Sequence, residues 1–327
     1  MGNTCRALLL FAALSVAQPA VQHAFAAESY PARPIRMIAP FTAGSTLDIF
    51  ARLVAETLGA PLGQSIVVDN RAGANGVIGA ELVAKAPPDG HTMLLTTGSF
   101  TGNIVFRKQL PYDGQRDFAP VTQVAQSHGL VLVINKGLPV QSVKDLVALA
   151  KARPGKLTYA SSGFGNITHV VAEMMKSAAG LDIVHVPYKG SAPALTDVIG
   201  GQVDMTFVST VAIQPYIRDG RVRGLALTGS ARAPVLPDVP TFREDGYPQV
   251  EMTGWYGLWF PAGTPADRIA RVQGEIAKAI KTPKMQARLT EFGLEPVGST
   301  PAQFAQFLKD DIELQSRIQR EAHIAKQ

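Results

Sequence analysis

The sequence predicts an α/β protein with largely parallel sheets and two separate cores. Three observations carry this reading. Short β-like runs alternate with helix-period segments almost throughout. A length of 327 residues with 46% apolar and 17% charged content is large for a single core. One strand–turn–helix unit also occurs twice, at positions far enough apart to belong to different lobes.

In order, the strand candidates are residues 35–39, 66–69, 93–96, 131–134, 157–160, 183–186, 203–207 and 225–228. The helix candidates between them are 46–58, 77–85, 143–152, 167–178 and 192–199. Gly59, Pro154-Gly155, Gly180 and Gly200-Gly201 follow periodic runs and serve as helix stops. From Pro265 onward the pattern turns helical, over 266–280, 283–292 and 301 to about 325, each beginning at or just after a proline. Trp255, Tyr256 and Trp259 lie in a strand-like stretch and are assigned to the core.

The first residues set the compartment. Arg6 precedes a short apolar run, residues 7–16, and Ala24-Phe25-Ala26 supplies a small-x-small cleavage signal. Residues 1–26 therefore read as a signal peptide, with export to the periplasm and a mature chain starting at Ala27. No later stretch is long and apolar enough to span a membrane. The only cysteine, Cys5, falls in the removed segment, so the mature fold rests on core burial rather than disulfides. The formal net charge is +5, and Arg6 is the only charge in residues 1–26. This mild excess is dispersed, and the densest group, Arg218, Arg221 and Arg223, is broken by Asp219 and Gly220. A nucleic-acid surface would cluster its cations with aromatics, so none is expected.

The repeated unit carries the chemistry. Its first copy runs from Met37 through Pro40-Phe41-Thr42-Ala43-Gly44-Ser45-Thr46 to Asp48, with Ser45 and Asp48 at capping-box spacing. Amides left free in such a first turn bind anions without a cationic side chain, because the helix N-terminus carries partial positive charge. Ordinary capping is the alternative. The second copy is Tyr159-Ala160-Ser161-Ser162-Gly163-Phe164-Gly165-Asn166-Ile167-Thr168. It approaches a dinucleotide fingerprint, but Thr168 stands where the third glycine belongs. Thr97, Gly98 and Ser99 after one strand, and Tyr188, Lys189 and Gly190 after another, read as further pocket walls, with Lys189 as a counter-charge or a solvated side chain. Hydrolase elbows, phosphate loops and metal-ligand spacings are missing, so neither cofactor nor metal is expected. His169 remains open as a structural residue or a general base.

Seven ordered segments then match one pattern: Pro40 to Asp48, Val68-Asp69-Asn70-Arg71-Ala72-Gly73, Pro88-Asp89-Gly90, Leu110-Pro111-Tyr112-Asp113, Tyr159 to Gly163, His185 to Ala194, and Pro261-Ala262-Gly263-Thr264-Pro265. Together they resemble the substrate-binding components of tripartite tricarboxylate transporters, the Bug proteins. The resemblance implies a type II periplasmic-binding fold, two α/β lobes joined by two crossing strands. Lobe one is then residues 27–124 plus 253–327, and lobe two residues 125–252. It further implies a monomer that captures a small carboxylate, largely on backbone amides, and delivers it to integral-membrane permease subunits.

Carried onto this chain, the resemblance places Phe41, Thr42, Gly44, Ser45 and Thr46 at the cleft, beside Thr97, Gly98 and Ser99. Ser162, Gly163, Phe164, Gly165, Asn166, Tyr188, Lys189, Gly190, Val208 and Ser209 face them from lobe two. Many relatives have glycine at the position of Ser45, small residues at Phe164 and Ile167, and an acid at Val208. With Val208 there, a di- or aromatic carboxylate is expected rather than an amino acid. Two alternatives stay open: an exported enzyme using His169 with Ser162, and a binding protein that reports to a sensor kinase.

Overall fold

A computed structural model describes residues 30–321 and 324–326. The signal segment, Cys5 and the cleavage at Ala26 lie outside them. The chain opens with β1 (Ile35–Ala39), α1 (Thr46–Leu62), β2 (Ile66–Asn70), α2 (Val77–Ala84), β3 (Thr92–Thr97), α3 (Ser99–Phe106) and β4 (Phe118–Ser127). There follow β5 (Leu130–Asn135), α4 (Val143–Ala152), β6 (Thr158–Ser161), α5 (Ile167–Ala179), β7 (Val184–Pro187), α6 (Ser191–Ile199), β8 (Met205–Ser209), α7 (Thr210–Arg218) and β9 (Val222–Leu227). The last part contains β10 (Trp255–Pro261), α8 (Ala266–Ala279), α9 (Pro283–Glu291), β11 (Leu294–Pro296) and α10 (Pro301–Glu321).

The strands form two sheets, one ordered β11-β4-β10-β3-β1-β2 and the other β7-β6-β8-β5-β9. Both are mixed rather than largely parallel. β1, β2 and β3 run parallel, as do β6, β7 and β8, but β10 is antiparallel to β3 and β4, and β5 is antiparallel to β8 and β9. The reason is topological: a chain that leaves one lobe and later re-enters it does so on neighbouring strands of opposite direction. The parallel half of each sheet still aims its strands' carboxyl ends, and the helix N-termini that follow, at the region between the lobes.

Two crossing segments join the lobes and are tied to each other. Ser127 N donates to Gly254 O at 2.7 Å, and Gly254 N donates to Ser127 Oγ at 2.9 Å. Thr228, fully buried, accepts from Leu130 N at 2.8 Å and donates to Met252 O at 2.6 Å. Around them, α10 spans both cores. Phe304 and Leu308 pack into the lobe-one cluster with Trp255 and Trp259, while Ile318 joins Val105 and Phe106 in the cluster built on lobe two.

Some elements were invisible in the periodicity. β4 carries Pro120 and four polar residues, α3 contains Gly102 and α7 contains Pro215, so each breaks the pattern that identifies its type. α1 runs through Gly59 and Pro61 to Leu62 and stops at Gly63 (φ 70°), because Leu58 and Leu62 are buried on the same face. Phe304 is fully buried, with ring centroids 4.9 Å from Trp259 and 5.9 Å from Trp255. Phe304→Ala is expected to cost about 3–5 kcal/mol, read as a lower urea midpoint at unchanged slope.

Candidate functional site

The first turn leaves β1 at its carboxyl end and starts α1. Ser45, extended at φ −70° and ψ 161°, is the N-cap, and its Oγ accepts from Asp48 N at 3.3 Å. The capping box closes one residue early, since Asp48 Oδ2 accepts from Gly44 N at 2.9 Å. Burial by itself raises the Asp48 carboxyl, but the Gly44 amide and Arg52 outweigh it and hold the group below the usual carboxylate range. Its other oxygen sits 3.0 Å from the Arg52 guanidinium without the alignment of a hydrogen bond. Arg52 also donates to Asn70 Oδ1, whose amide holds Phe41 O at 3.2 Å. Ser45 N is satisfied by Thr42 O and Ile49 N by Ser45 O. Among the described residues, the amides of Thr46 and Leu47, the first two helical positions, have no partner. A Cβ on Gly44 would meet nothing within 4 Å, so this turn faces open space.

The second turn leaves β6 and starts α5. Nearly all its amides are consumed: Ser162 N by Thr168 Oγ1 at 2.8 Å, Gly163 N by Ser161 Oγ at 3.2 Å, Gly165 N by His169 Nδ1 at 3.3 Å and Asn166 N by Gly163 O at 3.2 Å. Asn166 caps the helix by accepting from Thr168 N. Phe164 N and Ile167 N alone remain unpartnered here among the described residues. Gly165 takes φ 70°, a conformation costly for a side chain, which lets its amide turn inward to His169.

Behind this turn lies an imidazole pair, the buried His169 and the half-buried His185. His169 is 3% exposed, and burial, then the charges of His185 and Lys176, push it down to about 3. It is therefore neutral, with Nδ1 as the acceptor. Its ring lies 4.7 Å from Phe164 and 4.4 Å from His185, which is itself 2.6 Å from Ser161 Oγ. The hydroxyl paired with a histidine is thus the sealed Ser161, not Ser162, and His169 is a weak base at neutral pH.

The lobes meet at the floor between the turns. A Cβ on Gly102 of α3 would lie 2.9 Å from Gly165 O, so only glycine permits this approach. Gly98, Gly165, Ile167, Trp255 and Asp311 line a cavity of about 10 Å³, room for one water at most. Thr97 and Ser99 satisfy each other through their hydroxyls. The 74–76 loop adds a wall that the sequence pattern barely marks. Ala74 (φ 49°) and Asn75 (φ 56°) are left-handed there, held by Asn103 on Asn75 O and Arg107 on Ala74 O. The spacing of Gly73 and Gly76 was its only signal.

Known proteins share this fold. The profile described as the tripartite tricarboxylate transporter family receptor matches residues 50–324. The chain belongs to that family. Protein BugT of Bordetella pertussis is 36% identical over 96% of this chain and 97% of its own. Among solved structures, R. palustris Rpa4515 with adipate superposes with a TM-score of 0.84 at 36% identity, covering 91% of this chain and all of that one. MatC from Rhodopseudomonas palustris with bound malate gives 0.79 at 30% identity, over 88% and 99%.

As a receptor of this family, the protein is a solute-binding component with the two-lobed periplasmic-binding fold. One expectation for the cleft, Val208 as part of its wall, needs correction. Val208 is 5% exposed and packs with Val131 and Ala160 in the lobe-two core, because its strand position faces inward; its side chain is not an open wall. Lys189 is exposed without an ion pair among the described residues, so it does not act as a fixed counter-charge in this structure. Tyr188 beside it donates to Asp197, Ser209 caps α7 without a side-chain bond, and Gly190 caps α6. Among the described residues no helix is long and apolar enough to cross a membrane.

The neutral His169 makes stability pH-dependent with a definite sign. Its folded pKa lies below the unfolded value, so its contribution is complete above about 6.5 and is lost as pH falls towards about 3, at roughly 1.4 kcal/mol per pH unit. The melting temperature of His169→Gln, which keeps an acceptor for Gly165 N, is expected to fall less steeply than wild type between pH 6.5 and 4.

Proposed function

We propose that this receptor captures a small carboxylate, a di- or aromatic carboxylate rather than an amino acid, between its two βα turns and passes it to integral-membrane permease subunits. One observation carries the reading: after all internal capping, each turn retains two unpartnered amides, Thr46 and Leu47 in one and Phe164 and Ile167 in the other. Helix-end amides attract a carboxylate without a cation, and closing the lobes strengthens them by removing water. The solved relatives named with adipate and malate support the same ligand chemistry.

On this reading Phe41, Thr42, Gly44 and Ser45 shape the lobe-one side with Thr97, Gly98 and Ser99. Ser162, Gly163, Gly165 and Asn166 shape the other side, with the 188–190 loop and Ser209 at its margin. The lobes comprise residues 27–124 with 253–327, and 125–252, and the protein works as an exported monomer after loss of residues 1–26.

A thermal-shift screen over mono-, di- and tricarboxylates and aromatic acids tests the proposal. Binding at a hundred times the dissociation constant adds about 2.7 kcal/mol. Stabilisation by sugars or cations but by no carboxylate rejects it.

Two substitutions delete single amides without disturbing the helices. Proline suits a first helical position, and both preceding residues, Ser45 and Asn166, already hold the extended conformation that proline demands. Thr46→Pro and Ile167→Pro are each expected to weaken carboxylate binding about 10- to 100-fold, the worth of a charge-assisted hydrogen bond. Thr46→Ala and Ile167→Val, which keep the amide, bind within a few-fold of wild type in the same titration.

A further inference from the structure

Tyr256 is the one residue of β10 that is not buried, in a strand whose other six residues are. It pairs in register with Thr97 of β3, at the cleft end of the sheet, and lies on the face that carries α1. Its ring packs 4.6 Å from Phe50, one helical turn beyond the free amides of Thr46 and Leu47. Two residues earlier on the same strand face, a Cβ on Gly254 would lie 3.8 Å from Ile167 Cδ1, at the start of α5. Tyr256 therefore lies at the cleft end of the lobe-one sheet, beside the first turns of α1 and two residues along the chain from a glycine close to Ile167 of α5.

Its hydroxyl, like those of Tyr112, Tyr216 and Tyr247, has no hydrogen-bond partner among the described residues, and it differs from them in lying at the cleft end of the lobe-one sheet. Tyr30, Tyr159 and Tyr188 each donate to an acceptor at 2.5–2.7 Å. The Tyr256 hydroxyl is not one of the sealed-off polar atoms. Burial of the ring pushes the phenol up to about 12, so it stays a donor at physiological pH. Its ring packs on Phe50, in a cluster that also holds Phe41 and Phe292, and these rings offer a ligand no hydrogen bond.

We infer that Tyr256 is a specificity-determining ligand contact, donating its hydroxyl to the second carboxylate of a linear dicarboxylate whose first carboxylate lies on the helix-end amides. This rests on the carboxylate reading above. A monocarboxylate tail suits the aromatic rings but leaves the phenol unpaired once the lobes close. A site built to donate a hydrogen bond discriminates against ligands lacking the acceptor. A second carboxylate accepts there as a charge-assisted, and so stronger, partner.

The test compares wild type and Tyr256→Phe by calorimetric titration with succinate, glutarate and adipate against butanoate, pentanoate and hexanoate. Wild type is expected to prefer the diacid of the best-bound length. Tyr256→Phe is expected to weaken that diacid about 10- to 100-fold and the matching monoacid less than about 3-fold. The melting temperature without ligand stays at the wild-type value, because no internal hydrogen bond is lost. Three results overturn the inference: unchanged diacid affinity, equal weakening of both acids, or a lower melting temperature without ligand, which reveals an internal partner. Wild-type protein that binds none of these acids and no other carboxylate removes the parent reading as well. Wild-type binding with an indifferent variant removes only the role of Tyr256.

Discussion

An α-helix cannot satisfy the amides of its own first turn, and the site depends on how this protein disposes of them. Each helix start is a small inventory of donors. In the first turn Asp48 and Ser45 use some, and in the second Thr168, Ser161, His169 and Asn166 use others. What is left over is the surface proposed to hold the carboxylate. Capping and binding are complementary uses of the same groups, so the polar side chains of both turns work by deciding which amides face the cleft.

The groups behind the turns hold that division in place. Around the first, the Asp48, Arg52 and Asn70 network anchors Gly44 N and Phe41 O. Around the second, a neutral histidine takes the Gly165 amide. A charged imidazole would lose its acceptor atom and bring a positive charge into an apolar interior, and burial is what keeps it neutral. On the proposed reading the site attracts an anion through fixed dipoles, with Asp48 paired to Arg52 and His169 neutral behind them. Such dipoles need little reorganisation on binding.

Bringing the two turns together is the work of the junction. The paired crossings at Ser127, Gly254 and Thr228 set the hinge, α10 packs into both cores, and Gly102 lets α3 touch the second turn at Gly165. These contacts bury apolar area on both sides of the junction.

The amino-acid sequence by itself determined the α/β character, the two turns and the Ser45–Asp48 cap of the first, because strand and helix periods and that spacing are local properties of the chain. Ordered motifs from Pro40 to Pro265 sufficed for the family. Tertiary structure alone decided the mixed sheets, the orientation of Val208, the amides that stay free and the exposure of Tyr256 beside buried Trp255 and Trp259. These depend on partners remote in sequence: Val208 on its pairing with Val131, and Tyr256 on Thr97 and Phe50. Periodicity reports which face a residue is on, and only packing decides what meets that face.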